Sequence, residues 1–144
     1  MSSQEQHRSV SLRRTGEGNL VATNARGGEL TFGTGEGGRF TPVELLLAAI
    51  GGCTALDVDA LTSRLAEPER FELVVGAEKV RDDDGNRLQD ITLTFHVTFP
   101  EGEQGDAARD RLPDAAARSH DRLCTVSRTV ERGTPVSWSL ADDA

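Results

Sequence analysis

The chain has 144 residues, a length that suits one domain, since single cores usually close within roughly 100–200 residues. Hydrophobic residues make up 36% and charged residues 28% of the chain, so the composition favours a packed globular protein over a disordered one. The net charge of −8 repels phosphate groups. It therefore argues against general nucleic-acid binding and against docking on an anionic membrane.

The chain has only two cysteines, Cys53 and Cys124, so it cannot form a disulfide-rich secreted scaffold. Residues 1–20 carry charges throughout and lack an apolar run of signal-peptide length. The longest strongly apolar stretch, 43–50, is far shorter than the ~20 residues that cross a bilayer. We therefore expect a cytoplasmic protein with no membrane span.

The N-terminal third predicts short strands. Residues 1–9 are polar and are expected to be a flexible N-terminus, with a single domain over 10–141. Between residues 10 and 32, short apolar groups are separated by glycine-containing turns, which predicts two or three strands. A glycine-rich loop, 33–38, follows.

The next segment has the best-marked helix start in the sequence. Thr41 suits the N-cap, Pro42 the first helical position, and Glu44 the reciprocal side of a capping box. The helix should run to about Ala66, where a proline follows. Its first half is apolar on nearly every side, which predicts a helix buried in the middle of the structure.

The rest of the chain alternates strands and helices. Residues 71–80 and 91–99 predict a hairpin, joined by turn chemistry at 82–86. Residues 107–123 predict a helix that Pro113 starts or kinks, and 125–132 a short further helix. Val136, Trp138 and Leu140 alternate with serines and predict a last strand. The fold class is therefore α+β, in the order β-β-β-α-β-β-α-(α)-β.

The sequence gives only weak indications of a bound dinucleotide or a metal ion. Gly33, Gly35 and Gly38 form G-x-G-x-x-G, but three residues separate them from the helix and no acidic strand end follows about 20 residues later. The cysteines and the three histidines show no metal-ligand spacing. We therefore expect neither cofactor nor metal. His120 lies one helical turn before Cys124, although a solvated helix position explains it more simply.

The setting of each cysteine is compatible with a reactive thiol. Gly51 and Gly52 precede Cys53, and two glycines inside a helix cost about 1 kcal/mol each, which a close approach of backbone or ligand would explain. Cys124 would lie at the N-terminus of the short helix, where backbone N–H groups favour a thiolate. The alternative is that both are buried packing residues.

Residues 41–58 (TPVELLLAAIGGCTALDV) and 119–127 (SHDRLCTVS) closely resemble the two cysteine motifs of the OsmC/Ohr family, the osmotically inducible and organic hydroperoxide resistance proteins. The predicted element order resembles that family over most of the chain. The resemblance implies an intertwined homodimer with a long central helix and active sites at the subunit interface.

The resemblance also implies a peroxidase. The cysteine that matches Cys53 attacks an organic hydroperoxide and becomes a sulfenic acid, and the one that matches Cys124 resolves it to a disulfide. An external dithiol, dihydrolipoamide in relatives, reduces the disulfide. The assisting arginine matches Arg14, with Arg13 and Arg39 as rivals. The form of the motif is similar to the OsmC-like branch of the family.

The chain departs from the peroxidase motif at one position. Family peroxidases carry a glutamate directly after the proline, and Val43 occupies that position here. Glu44 is nine residues from Cys53, which is the opposite helix face. Asp57 lies on the same face as Cys53, and we expect an arginine to pair with it.

Three functions follow as hypotheses. The first is a cysteine-dependent hydroperoxide reductase for oxidative-stress defence. The second is a non-enzymatic dimer that binds a small apolar or acyl ligand. The third is a structural disulfide between the cysteines, which a reducing compartment disfavours.

Overall fold

The computed structural model describes residues 6–142 and divides the chain into two compact units, residues 1–46 and 47–144. Positions 1–5 of the predicted flexible N-terminus lie outside the described residues. Residues 7–9 form neither helix nor strand. The mixed α+β class predicted from the sequence is confirmed.

The first unit contains an antiparallel three-stranded sheet in the order β1-β2-β3. The strands are β1 (Val10–Gly16), β2 (Asn19–Asn24) and β3 (Glu29–Gly33). Each pair is joined by a short glycine-containing turn, as the sequence predicts. A 3₁₀ turn, Glu36–Gly38, leads from the sheet towards the first helix.

Helix α1 spans Pro42–Thr62 and begins with the predicted capping box. The Thr41 backbone N–H donates to Glu44 Oε1 at 2.9 Å, and the Glu44 backbone N–H donates to Thr41 Oγ1 at 3.2 Å. The helix ends four residues before the predicted Ala66. A tighter turn replaces it there, because the Leu65 backbone N–H donates to the Thr62 carbonyl.

Only one stripe of α1 is buried within the chain: Ile50, Thr54, Val58 and Thr62, at i, i+4 spacing, with Gly51 beside it. In the first half of the helix, Val43 is 41% and Leu46 39% exposed. The predicted burial on nearly every side is therefore not reached inside one chain. Residues Glu36–Thr62 are long and apolar enough to cross a membrane by length and composition alone, a test that core helices of soluble proteins also pass.

The second unit holds the predicted hairpin, with β4 (Arg70–Asp82) and β5 (Gly85–Thr98) paired antiparallel. Asp83 and Asp84 form the turn. The Asp84 backbone N–H donates to Asp82 Oδ1 at 2.9 Å. Gly85 has φ +126°, a conformation that favours glycine and fixes the turn at this position.

Two helices and a π-helical turn follow the hairpin. Helix α2 spans Glu103–Arg118, starts four residues before the predicted position, and carries Pro113 inside it. The π-helical turn is Ser119–Leu123, and helix α3 is Thr125–Glu131. The predicted single helix over 107–123 is thus an α-helix that widens into a π turn before Cys124.

The predicted last strand is wrong for the chain as described. Residues 134–142 form no strand, and the alternating Val136, Trp138 and Leu140 are 94%, 83% and 86% exposed. Alternating apolar and polar residues give a strand one face that can be buried. A strand must also pair its backbone hydrogen-bonding groups with those of a neighbouring strand. None of the described strands pairs with this segment.

Candidate active site

Cys124 lies at the N-terminus of α3, as the sequence predicts. It is the N-cap residue, and its Sγ accepts a hydrogen bond from the Ser127 backbone N–H at 3.3 Å. Its own backbone N–H donates to the Ser119 carbonyl at 2.8 Å, which ties it to the π turn. The Cys124 side chain is fully buried. A thiolate at this position is stabilised by donors of the helix terminus.

Cys53 lies in the middle of α1 and is half-buried. The two glycines before it have different surroundings. A Cβ added at Gly51 would lie 2.5 Å from Val75 Cγ2 of β4, whereas one added at Gly52 would meet no atom within 4 Å. Gly51 therefore lets the hairpin approach the helix closely. Gly52 leaves an open surface beside the Cys53 turn.

The structure brings the two cysteines together. Both are free thiols, and each acts on the pKa of the other. Thr54 Oγ1 donates to Cys124 Sγ at 3.6 Å, and Ser127 Oγ lies 3.2 Å from the same sulfur. The Val126 backbone N–H lowers the pKa of Cys53. The first turn of α3 thus acts on both thiols.

The pKa values of the two thiols shift in opposite directions. Burial raises the pKa of Cys53, and the neighbouring Cys124 and Asp57 raise it further, against the lowering effect of the Val126 N–H. Burial also acts to raise the pKa of Cys124, but the hydrogen bonds from Ser127, Thr54 and Cys53 outweigh it and leave that pKa below its ordinary value. Cys124 therefore has hydrogen-bond donors from both α1 and α3 beside its sulfur.

Asp57 has a different partner from the one expected. Its Oδ2 accepts a hydrogen bond from the Ser119 hydroxyl at 2.8 Å, and Ser119 is fully buried. Among the ion pairs of residues 6–142, none involves Asp57. A buried hydroxyl on the π turn, rather than an arginine, satisfies this carboxylate.

His120 does not join the cysteines, although it lies four residues before Cys124. Its Nδ1 lies 2.8 Å from Asp121 Oδ1 and its Nε2 lies 2.8 Å from Glu131 Oε1. The hydrogen bonds to Asp121 and to Glu131 raise the pKa of the His120 imidazole. The side chain is 59% exposed, so the solvated position that the sequence favours is confirmed.

A cavity of about 360 Å³ lies inside the second unit, next to the polar partners of Cys124. Thr54, Ser127, His120 and Glu131 supply its polar lining. The remaining wall is mainly aliphatic and aromatic: Ile50, Ile91, Leu93, Phe95, Ala116 and Val130. A volume of this size lies in the range of small-molecule sites.

Arg14 lies in the first unit, on β1 opposite Leu20 of β2. It lines a second cavity of about 560 Å³, together with Phe32, Thr34 and Pro42. The rival Arg39 is exposed and its Nη1 donates to the Glu36 carbonyl at 3.4 Å. Arg13, the other rival, is also exposed, on β1 opposite Val21.

Sequence reasoning missed Thr54, Ser127 and Ser119 as parts of the site. One signal was present for Ser127, because a side chain three residues after an N-cap lies over the first helical turn. For Thr54 and Ser119 the sequence gives no comparable signal. Among residues 6–142, no group of three or more His, Cys, Asp or Glu side chains is arranged to hold a metal ion.

Comparison with known proteins assigns the fold. The model of the OsmC-like protein family matches residues 34–139. An uncharacterised protein of Mycobacterium tuberculosis strain H37Rv is 29% identical over 133 residues, which is 91% of this chain and 94% of that protein.

Two solved structures share the fold at low identity. The OsmC-like protein of unknown function from Vibrio cholerae has a TM-score of 0.71 at 13% identity and covers 91% of this chain and 95% of its own. The organic hydroperoxide resistance protein OhrB of Bacillus subtilis has a TM-score of 0.53 at 17% identity, with 89% and 92% covered.

Proposed function

This chain belongs to the OsmC-like protein family, and we propose that it is a thiol-dependent peroxidase that reduces organic hydroperoxides in oxidative-stress defence. The Thr54 hydroxyl, on the residue after Cys53, donates to Cys124 Sγ at 3.6 Å, and this closeness of the two cysteine motifs carries the proposal. A disulfide requires two cysteines that lie close together, and this contact keeps the two motifs adjacent. A partly exposed sulfur beside a buried one also suits an attacking and a resolving thiol.

Cys53 is the attacking residue in this proposal, because Cys124 is fully buried. The Cys53 thiolate attacks the distal oxygen of the hydroperoxide, the O–O bond breaks, and Cys53 becomes a sulfenic acid. The alkoxide takes a proton and leaves as the alcohol. Cys124 then attacks the Cys53 sulfur, forms the disulfide and releases hydroxide, which is protonated to water. The thiols lose two electrons, which the hydroperoxide gains.

An external dithiol of the dihydrolipoamide type completes the cycle by thiol–disulfide exchange. The need for such a reductant supports a cytoplasmic location, where thiols are kept reduced. The organic nature of the hydroperoxide is supported by the apolar residues near the start and middle of α1, and by relatives described as organic hydroperoxide resistance proteins.

Arg14 is proposed as the cation that stabilises the developing negative charge. Arginine suits this role because it stays charged when it is desolvated. Replacing Arg14 by lysine should lower kcat/KM for cumene hydroperoxide, because the planar guanidinium is lost. Arg13→Lys, one residue away on the same strand, is the matched control and should keep wild-type activity.

The proposed working unit is a homodimer of a single domain over residues 10–141. Only 28% of the most apolar window of Glu36–Thr62 is buried within one chain. Val43, Leu46 and Leu56 of α1 remain exposed, as do the apolar residues of 134–142. Exposed apolar side chains of this kind are typical of an interaction site. Light scattering at micromolar concentration should give twice the mass of one chain.

Three proteins test the peroxidase proposal: wild type, Cys53→Ser and Cys124→Ser, each with cumene hydroperoxide and a dithiol reductant. Cys53→Ser should abolish hydroperoxide consumption. Cys124→Ser should accumulate a sulfenic acid on Cys53 that a dimedone-type reagent traps. Equal turnover by wild type and Cys53→Ser would contradict the proposal.

The cavity of the second unit favours one alternative, a dimer that binds a small apolar or acyl ligand without chemistry. Its wall is mainly apolar and its volume is about 360 Å³. This function predicts a co-purified ligand in native mass spectrometry, retained in Cys53→Ser, together with slow and unsaturable reaction of hydroperoxides.

A further inference from the structure

The cavity of the second unit adjoins a polar depression at the surface. His120 and Glu131 line both the cavity of about 360 Å³ and a depression of about 250 Å³. Asp121, Arg128 and Arg132 complete the lining of the depression. Because the side chains of His120 and Glu131 are 59% and 58% exposed, they mark the place where the cavity meets the solvent. The depression is thus a charged rim at the mouth of the cavity.

The wall of the cavity is built mainly from apolar side chains of three elements. Ile91, Leu93 and Phe95 are two positions apart on β5, so their side chains share one face of the strand. Ile50 of α1 and Ala116 of α2 add to this wall. Apolar side chains of this kind favour a hydrocarbon group as the occupant.

Two arginines are the unpaired charges of the rim. The carboxylates of Asp121 and Glu131 each lie 2.8 Å from a ring nitrogen of His120. None of the ion pairs in the described part of the chain involves Arg128 or Arg132. These arginines are four positions apart on α3 and its C-cap, so they are neighbours on one side of the helix. Two neighbouring guanidinium groups repel each other and favour an anion between them.

We propose that this cavity binds a short- to medium-chain carboxylic acid. Its hydrocarbon chain contacts Ile91, Leu93 and Phe95, and its carboxylate binds Arg128 and Arg132. The volume lies near the lower end of the range for small-molecule sites, which suits a hydrocarbon chain of modest length. Guanidinium groups match the geometry of a carboxylate, so the rim selects an acid over a neutral lipid.

This ligand site goes beyond the peroxidase reaction and lies on the side of the buried thiol. Thr54 Oγ1 and Ser127 Oγ are 3.6 Å and 3.2 Å from Cys124 Sγ, and both residues line the cavity. Cys53 is not among the described residues that line it. The acid is therefore held without reacting, and its binding does not require the Cys53 thiol.

Isothermal titration calorimetry of the reduced protein with sodium octanoate tests the proposal. Octanoate should bind wild type and Cys53→Ser with equal affinity. Hexanoate should bind roughly tenfold more weakly, because two methylene groups are lost from the contact with the apolar wall. Equal affinity for hexanoate and octanoate would show that the hydrocarbon chain does not enter the cavity.

Arginine variants test the site of the carboxylate. Arg128→Gln and Arg132→Gln should each weaken octanoate binding roughly two- to fivefold and leave the binding of octanol unchanged. Arg118→Gln is the control, because it removes one exposed positive charge outside the rim. It should keep wild-type affinity for octanoate. An equal loss in all three variants would reduce the effect to general attraction and overturn the carboxylate site.

Two neighbouring alanines of α2 test the site of the hydrocarbon chain. Ala116→Leu places a larger side chain in the cavity and should weaken octanoate binding at least tenfold. Ala117→Leu, at the next and exposed position, should bind octanoate like wild type. Thermal denaturation shows whether both variants fold. If Ala116→Leu does not fold, the comparison of hexanoate with octanoate tests the same wall without a substitution.

The outcomes separate this proposal from the peroxidase. Absence of saturable binding at millimolar octanoate would show that another group, such as apolar side chains of a second copy of the chain, fills the cavity, and would overturn the proposal. Loss of octanoate binding in Cys53→Ser would place the acid at the attacking thiol and overturn it as well. If octanoate binds while Cys53→Ser consumes hydroperoxide like wild type, the peroxidase is wrong and the ligand site stands.

Discussion

The carboxylate of Asp57 accepts its hydrogen bond from the hydroxyl of Ser119, 62 positions further along the chain, at 2.8 Å. This contact joins α1 to the π turn that leads into Cys124. Because Asp57 also acts on the pKa of Cys53, the Ser119 hydroxyl holds a charge at a fixed place beside the thiol pair.

Ser119→Ala should lower the free energy of unfolding by about 1–2 kcal/mol, because it leaves the half-buried Asp57 carboxylate without its hydroxyl donor. Urea denaturation measures the change. Ser137→Ala, in the exposed segment 134–142, is the control and should stay within about 0.5 kcal/mol of wild type. A Ser119→Ala protein as stable as the control would contradict a structural role for this hydrogen bond.

Replacing Gly51 by alanine and replacing Gly52 by alanine should change the stability of the protein in opposite directions. Gly51→Ala places a methyl group 2.5 Å from Val75 Cγ2 and should destabilise the protein by about 1–3 kcal/mol. Gly52→Ala meets open space within the chain and should stabilise the monomer by up to about 1 kcal/mol through helix propensity. Thermal denaturation distinguishes them. If Gly52→Ala instead dissociates a dimer in light scattering, a partner chain approaches the helix at Gly52.

His120 should make stability depend on pH. Its pKa is higher in the folded protein because Asp121 and Glu131 bond to the ring, so its contribution is complete below the unfolded value of about 6.5 and is lost as pH rises through the folded value. His120→Gln should therefore cost most near pH 6 and nothing in alkaline solution. The side chain is 59% exposed, so the cost should not exceed about 1 kcal/mol. Urea midpoints of both proteins across this range measure it; a constant difference would contradict the assignment.

Val43→Glu should increase peroxidase activity, because it supplies a carboxylate at the position where family peroxidases orient their arginine. Val43 is 41% exposed, so the helix can accept the charged side chain. The measurement is kcat/KM with cumene hydroperoxide. Glu44→Ala is the neighbouring control: it breaks the capping box and should cost about 1 kcal/mol of stability without changing peroxidase activity. Unchanged activity in a folded Val43→Glu protein would argue against the comparison with the peroxidases.

Local chemistry made much of the fold predictable. The capping box at Thr41 and Glu44 and the hairpin turn before Gly85 each depend on residues a few positions apart, and both are found. The residue at which α1 ends and the residue at which α2 begins were less predictable. Near Ala66 and Ala107 several backbone conformations compete at similar energy, and packing decides among them.

The site was predictable only in part, for a related reason. Cys53 and Cys124 were found through their motifs, but Thr54 donates to a sulfur 70 positions away, and no local pattern predicts such a contact. The expectation of an arginine beside Asp57 followed charge complementarity and overlooked a buried hydroxyl. The strand predicted at Val136 to Leu140 pairs with none of the described strands. Alternating apolar residues predict which face of a strand is buried, but they do not predict whether a partner strand is present.

The exposed segment 134–142 has an optical consequence. Trp138 is the only tryptophan of the chain, which has no tyrosine, and it is 83% exposed. Near-ultraviolet absorbance and emission of this protein therefore come almost wholly from one indole far along the C-terminal segment. A blue shift of its emission with rising protein concentration would report the covering of that segment directly, with no added label.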